Sequence, residues 1–459
     1  MDASVSQYLR ISEPGLSERW TALLGEALAP GPADGSALSQ AGRRRVADLA
    51  GSNVARFVSQ QLELGARAHG RFPDARIPFW TSKGLEQATP AVVADHRAHA
   101  LAAGLGPDQL VWDASCGAGS DSIAALRQGL TVLATDLDPG SVRCAHANLK
   151  VAAEGTHGSP GGKIAGAALA DLRQPPLDHA TLRKSIVILD PDRRPGVGRG
   201  SGADRRERRP DRWSPSLPDA MALLEAARGG CVKLPPGLHL DSLNAPKEIR
   251  QEWISLDGEL KELTVWSGPL GPRALKTASA LRTSGRRATW SSDNRGATEG
   301  AFPQIQPVAD LAPGQALVEL DASLWQSGLA GSFAAAHGHA FIGEEAQGMF
   351  CVAPDPPAGL SALCRAWPIL EVVRADRKRV RELLRSRGIG PITVKKRHHP
   401  RSSAELEALF RVAKGGSGSG SNQPHGLLAV FRAAGTSAAV LLGEELVGDE
   451  GFEPPTPSV

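Results

Sequence analysis

The chain has 459 residues, 41% of them hydrophobic and 22% charged, with a formal net charge of +3. That length allows two or three domains, and that composition marks a globular protein rather than a disordered one. No apolar run approaches the roughly 18 residues of a membrane span, the first residues lack the apolar core of a secretory signal, and a charge of +3 does not by itself select a nucleic-acid partner.

From about residue 15 to 100 the apolar residues recur at three- and four-residue spacing, as in VADLAGSNVARFVSQQLELGARAH and AVVADHRAHALAAGL, which predicts helices. From about 108 to 280 short apolar runs alternate with helical stretches, the pattern of a parallel sheet. PGVGRGSGADRRERRPDR (195–212) reads as a long loop, 291–314 as a linker, and GGSGSGSNQPHG (415–426) as a flexible insertion. The tail from 446 is acidic and Pro-rich, which predicts disorder. Five cysteines, Cys116, Cys144, Cys231, Cys351 and Cys364, are scattered and never in C-x-x-C spacing. They point to a reduced, cytoplasmic protein with no cysteine zinc site. The pairs His337/His339 and His398/His399 lack partners at ligand spacing, so no metal is expected.

The chemistry begins at Leu110. LVWDA predicts a buried strand, SCGAGS a tight glycine loop, DSIAALRQ a helix with Ser120 or Asp121 as N-cap, and LTVLATD a second strand ending in an acid. Gly117 and Gly119 let the backbone turn sharply and approach a ligand closely. That ligand would lie over a helix N-terminus at the carboxyl ends of the strands. Asp136 stands 23 residues after Asp113, where a carboxylate can accept both hydroxyls of a ribose. Asp113 lies under the loop, where an ammonium group would need an anion. The run G-A-G-S-D-S lacks the third glycine of the G-x-G-x-x-G dinucleotide loop, which disfavours NAD.

The stretch D-x-S-C-G-x-G followed by a strand ending T-D-L-D-P closely resembles the nucleotide site of class I S-adenosylmethionine (SAM)-dependent methyltransferases. The resemblance implies a Rossmann-like doubly wound α/β sheet with SAM as methyl donor and S-adenosylhomocysteine as product. It implies that Asp113, Gly117 and Gly119 hold the methionine end, that Asp136 takes the ribose, that Asp171, after the third strand, lies beside the adenine, and that Ser115, Cys116 and Leu137 also line the cofactor site. It further implies that the loop after the fourth strand, Asp190-Pro191-Asp192-Arg193-Arg194, faces the transferable methyl group. The related D/N-P-P-Y loop binds a target amino group; here its second proline and its aromatic residue are absent. Asp190, Pro191 and Arg194 are therefore candidate catalytic residues, and Arg193 and Arg194 could clamp a phosphate or pair with Asp204, Glu207 and Asp211.

Further pieces, TSKGLEQATPAVVADHRA (81–98), WSPSLPDAMALL (213–224), CVKLPPGL (231–238) and RGIGPITVKKR (387–397), resemble bacterial SAM-dependent methyltransferases with a C-terminal THUMP-like domain. The glycine-loop region is also similar to the RNA cap guanine-N2 methyltransferases. Between Arg374 and Arg401 eleven cations face two acids, on a predicted helix closed by Gly388 and a strand PITVKKR. Such density suits phosphate, which makes Lys395, Lys396 and Arg397 candidate substrate contacts. The expected organisation is an N-terminal helical region (1–100), a methyltransferase domain (101–290), a linker (291–314), a smaller α/β THUMP-like region (315–445) and a tail (446–459). The expected activity is methyl transfer to structured RNA, tRNA or rRNA. The alternatives are a small-molecule or protein substrate, or an inactive SAM- and RNA-binding protein.

Overall fold

The computed structural model describes residues 3–10, 13–28, 39–69, 72, 78–106, 109–154, 161–193, 207, 209–238, 240, 249–272, 274–293, 305–343, 350–355, 361–397, 399–412, 423–433 and 436–446. Most of the Arg/Gly-rich loop, the Gly/Ser-rich insertion and the tail after 446 lie outside the described residues. The chain forms two compact units, Met1–Gln251 with Glu262–Arg273, and Glu252–Lys261 with Ala274–Val459. The N-terminal helices thus fall in the same unit as the first parallel strands, and residues 274–290, expected to complete the methyltransferase domain, fall in the second unit.

The first unit opens with helices α1 (Ala3–Tyr8), α2 (Leu16–Leu28), α3 (Gln40–Ala50), α4 (Ser52–Ala68), α5 (Ser82–Gln87) and α6 (Ala91–Gly104). There follow β1 (Leu110–Asp113), α7 (Ser120–Arg127), β2 (Thr131–Asp136), α8 (Pro139–Glu154), β3 (Ile164–Leu169), α9 (His179–Leu182), β4 (Ile186–Leu189), α10 (Leu217–Ala226) and β5 (Gly229–Leu234). The five strands are parallel in the order β3-β2-β1-β4-β5. Of the next two strands, β6 (Arg250–Leu256) and β7 (Glu259–Ser267), the latter runs antiparallel beside β5. The continuous apolar runs of β1 and β4 suit strands covered on both faces. Asp113 is in register with Ala134 and with Ile188, so β1, β2 and β4 deliver their carboxyl ends to one edge.

Val111, Val132, Ile186 and Ile188 form one core with Leu101, Ile123, Leu149, Leu64 and Trp80. A second core joins Val5, Leu16, Val46 and Val58 of the N-terminal helices to Cys144 and Ala147 of α8, with Trp20, Phe57 and Phe79 in mutual ring contact. Polar ties reinforce it. The Glu154 carboxylate accepts from the N–H groups of Leu16 (3.0 Å) and Ser17 (2.8 Å) at the start of α2. The Asn148 amide donates to the carbonyls of Phe79 and Ala118, both at 2.8 Å, and accepts from the Phe79 N–H. Asn148 therefore binds the segment after α4 and the glycine loop to one point on α8.

The second unit contains β8 (Lys276–Leu281), β9 (Arg287–Ser291), β10 (Ile305–Gln306), β11 (Ala316–Leu320), α11 (Ala322–Ser327), α12 (Ala330–Ala336), β12 (Ala340–Ile342), β13 (Phe350–Ala353), β14 (Cys364–Arg374), α13 (Arg377–Ser386), β15 (Ile392–Arg397), α14 (Ser403–Phe410), β16 (Gly426–Ala433) and β17 (Thr436–Leu442). Eight strands form a sheet in the order β10-β12-β13-β11-β14-β17-β16-β15. Helix α13 begins at the N-cap Asp376, whose carboxylate accepts from the Arg379 N–H, and Gly388 follows its C-cap at φ +66°. Its Val380, Leu383 and Leu384 pack with Leu406, Phe410, Leu428 and Leu441, while Arg377, Lys378, Arg379 and Arg385 are exposed and Arg381 is half-buried. Among the described residues no helix is long and apolar enough to cross a membrane.

Candidate active site

The loop from Ala114 to Gly119 leaves β1 and is pinned to its neighbours by backbone bonds: Ala114 N–H to the Ile188 carbonyl (3.0 Å) and Cys116 N–H to the Thr135 carbonyl (2.9 Å). Gly117 and Gly119 hold φ of +53° and +91°. Gly119 is itself the N-cap of α7, in the left-handed region, so the cap is not Ser120 or Asp121 as expected. Both of those residues lie inside the first turn and are buried, because their side chains are used elsewhere: Ser120 donates to the Thr89 carbonyl, and Asp121 enters an ion-pair chain described below. A Cβ on Gly119 would stand 3.3 Å from Cα of Ala145, so this position must be bare for the loop to lie on α8. A Cβ on Gly117 would meet nothing within 4 Å; the loop faces open space there.

Asp136 ends β2 beside that space. Its Oδ2 accepts from the Gly117 N–H and its Oδ1 from the Asp138 N–H, each at 2.9 Å. Burial raises its pKa, opposed by those two N–H donors. Leu137, next along, is 53% exposed. Asp171 follows β3, accepts from the Arg173 N–H and pairs with the Arg173 guanidinium at 2.5 Å. Asp113 is buried beneath the loop, with Oδ2 accepting from the Ser122 hydroxyl at 2.6 Å. Burial, helped by the neighbouring Asp121 carboxylate, pushes its pKa up to about 7. Cys116 is buried as well, and burial pushes its thiol pKa well up, so it packs rather than reacts.

The loop after β4 converges on the same edge. The Asp190 N–H donates to the Ser115 hydroxyl at 2.7 Å, tying the acceptor loop to the glycine loop. Pro191 is buried. Asp192 exchanges backbone bonds with Ser214 and pairs with Lys83 of α5 at 2.8 Å. The Arg193 carbonyl accepts from the Glu207 N–H at 2.7 Å, while Asp211 pairs with Arg209. Arg194 and Asp204 lie outside the described residues.

Sequence reasoning passed over the charges that hold this edge. Arg97 of α6 is fully buried and pairs with both Asp121 and Glu262. The Lys233 ammonium, on β5, reaches the Thr89 hydroxyl at 2.6 Å, Asp121 Oδ2 at 3.1 Å and Asp190 Oδ2 at 2.6 Å. Burial would raise the Asp121 pKa, but Arg97 and Lys233 outweigh it and draw it down to about 2. Burial likewise works against the Lys233 charge, but Asp121 and Asp190 more than offset it and push its pKa up. One signal was present: Arg97 stands on the apolar face of α6, in line with Val93, Ala94, Ala98 and Leu101.

In the second unit the three expected phosphate contacts have different surroundings. Lys395 is only partly exposed; its ammonium pairs with Glu319 at 2.7 Å and sits 4.6 Å from the Trp367 ring centroid. Lys396 donates to the His399 carbonyl at 3.1 Å, and the Arg397 side chain lies outside the described residues. Arg377, Arg381 and Arg385 line one face of α13 at four-residue spacing, the first and last exposed. Desolvation and then the flanking Arg377 and Arg385 hold the Arg381 pKa below the usual guanidinium range.

A family model described as THUMP domain-like matches residues 364–441. Two curated relatives, both described as uncharacterized SAM-dependent methyltransferases, come from two strains of Mycobacterium tuberculosis, CDC 1551 / Oshkosh and H37Rv. Each is 29% identical over 335 residues, covering 70% of this chain and 79% of the relative. A crystal structure of a Porphyromonas gingivalis W83 protein assigned as a methyltransferase superposes with a TM-score of 0.62 at 16% identity, over 96% of this chain and 97% of that one. The parallel sheet with its reversed β7, the glycine loop and the strand-end acid define a class I methyltransferase fold. Over 70% of its length the chain is similar to two SAM-dependent methyltransferases, and its segment 364–441 matches a THUMP domain-like model.

Proposed function

We propose that this enzyme methylates a structured RNA, a tRNA or an rRNA, in the cytoplasm, with SAM bound over the loop from Ser115 to Gly119. The residues there suit that cofactor. The bare Cα of Gly117 leaves room for a ligand against the backbone. Asp136 presents a carboxylate braced by two N–H donors, fit to accept ribose hydroxyls. Leu137 offers an exposed apolar surface for the adenine, with Asp171 at the neighbouring strand end. Asp113, beneath the loop with its pKa raised to about 7 by burial, would be drawn into its ionised form by a cofactor ammonium group. The bound cofactor supplies an electrophilic methyl group, and the loop at Asp190 and Pro191 presents the acceptor to it.

The observation that carries the RNA reading is the stripe of Arg377, Arg381 and Arg385 within the matched THUMP-like segment. Like charges four residues apart on a helix repel one another. A polyphosphate backbone relieves that repulsion and releases counterions as it binds. Lys396 and Arg397 would extend the surface; Lys395, held by Glu319 and Trp367, would support it from behind. The test is transfer of labelled methyl groups to RNA from a strain lacking the gene, followed by nucleoside mass spectrometry. Label in a modified nucleoside is the expected result; label confined to protein or small molecules overturns the RNA substrate.

A further inference from the structure

Five charged side chains from five places in the sequence form an alternating chain: Glu262, Arg97, Asp121, Lys233, Asp190. Four of them are at least seven-eighths buried, whereas the Asp190 side chain is 41% exposed. Counted as ions they are three acids and two bases, so the chain carries one net negative charge. Each inner member has an opposite charge on both sides. Among the described residues the terminal Asp190 is paired with Lys233 through Oδ2, and its side chain is exposed enough to meet a visiting group.

We propose that Lys233 is a positioning residue for methyl transfer: it fixes the Asp190 carboxylate at the acceptor mouth as a hydrogen-bond acceptor for a neutral nitrogen nucleophile. This rests on the methyltransferase reading of the site. Two restraints act on Asp190. Its backbone N–H is held by Ser115 and its carboxylate by Lys233, so neither end of the residue is free to turn. Held at both ends and bridged by an ammonium at 2.6 Å, the carboxylate is placed to accept an N–H at a fixed position. A nucleophile that is not deprotonated beforehand must carry a usable lone pair while neutral, which a nitrogen does. Its lone pair forms the new N–C bond as the C–S bond breaks, the bonding electrons remain with sulfur, and the nitrogen loses a proton to water afterwards. The carboxylate compensates the positive charge that builds on nitrogen in between.

The test uses the full-length protein and a whole lysate of a strain lacking the gene, which contains the unmethylated acceptor whatever its class. RNA, protein and small-molecule fractions are counted separately, so failure of the RNA reading shows as label in another fraction and leaves the Lys233 comparison readable. Lys233→Met keeps the length and removes the charge; transfer at saturating SAM is expected to fall about 100-fold, the cost of a misplaced reacting group. The affinity for S-adenosylhomocysteine, measured by calorimetry, is expected to stay within about twofold, since Lys233 touches none of the loop that holds it. Lys233→Arg is expected to recover part of the rate, and Lys233→Met with Asp190→Asn to be no slower than the slower single variant. Thr89→Val, which removes one hydrogen bond to Lys233, one to Asp121 and no charge, keeps the test open should Lys233→Met fail to fold; a several-fold slower transfer at unchanged affinity is expected. Equal losses in Lys233→Met and Lys233→Arg, loss of cofactor affinity in step with rate, additive effects in the double variant, or methylation found on oxygen or carbon would each overturn the proposal.

Discussion

The Gly117 N–H donates to Asp136 Oδ2 at 2.9 Å, so the glycine loop and the strand-end acid are one object rather than two motifs 19 residues apart. Asp136→Ala removes the loop's brace together with the acceptor for the ribose. Charge-assisted hydrogen bonds contribute roughly 1.5–3 kcal/mol each, so SAM affinity measured by calorimetry is expected to fall at least tenfold. Unchanged affinity would remove Asp136 from the cofactor site.

The two loop glycines should separate binding from folding. Gly119→Ala places a Cβ 3.3 Å from the Ala145 backbone at φ +91° and is expected to lower the thermal midpoint clearly. Gly117→Ala costs only the left-handed backbone, about 1–2 kcal/mol, and its Cβ projects into open space. The protein should fold and bind SAM more weakly. The reverse ranking in melting experiments would contradict the assigned loop geometry.

Asp113 predicts a pH signature. Its pKa is raised to about 7 from a reference of 3.8. Between those values the unfolded chain has released the proton that the native state keeps, so this group's contribution to stability falls as pH rises from about 4 to about 7. Asp113→Asn removes that penalty. Its melting temperature relative to the wild type is expected to increase between pH 5 and pH 8. A constant difference across that range would show that Asp113 is ionised throughout.

Arg97 is the buried centre of its ion chain. Replacing one partner of a buried pair leaves the other uncompensated, a cost of about 3–5 kcal/mol. Arg97→Met strands Glu262 and leaves Asp121 with Lys233 as its remaining cation, and urea unfolding should show a loss of that order. A loss below about 1 kcal/mol would mean that the pair is solvated in solution.

The α13 stripe predicts how RNA affinity responds to salt. Each phosphate contact contributes about 0.7 to 0.9 to the log–log slope. Arg377→Ala, Arg381→Ala and Arg385→Ala together should flatten the slope by about two to three units and leave SAM affinity unchanged. Filter binding against tRNA and rRNA fragments at several salt concentrations reads it; equal slopes would end the RNA-docking role of this helix.

What the sequence made legible was local. The strand, loop, helix and strand between Leu110 and Asp136 are encoded by adjacent residues with strong periodicity and two glycines, and all four elements formed where expected. The N-cap at Gly119 was misread because a polar residue one position on looks like a better cap until its side chain is seen to be used elsewhere. Arg97, Asp121, Lys233 and Glu262 could not be joined from sequence, since their pairing exists only once α6, α7, β5 and β7 are packed. Lys395 shows the same limit in reverse. Within a basic run it looks free, and only the fold brings it to Glu319, 76 residues away.

Asn148 gives the N-terminal helices a meaning that their position in the chain conceals. One amide holds Phe79 and the Ala118 carbonyl together on α8, while Phe79 is packed against Trp20 and Phe57. A fragment cut to begin at residue 101, which a motif-based boundary invites, would keep every residue of the glycine loop and β2 and still lose the scaffold that shapes them. Any minimal catalytic fragment of this enzyme has to be drawn around its first hundred residues, not after them.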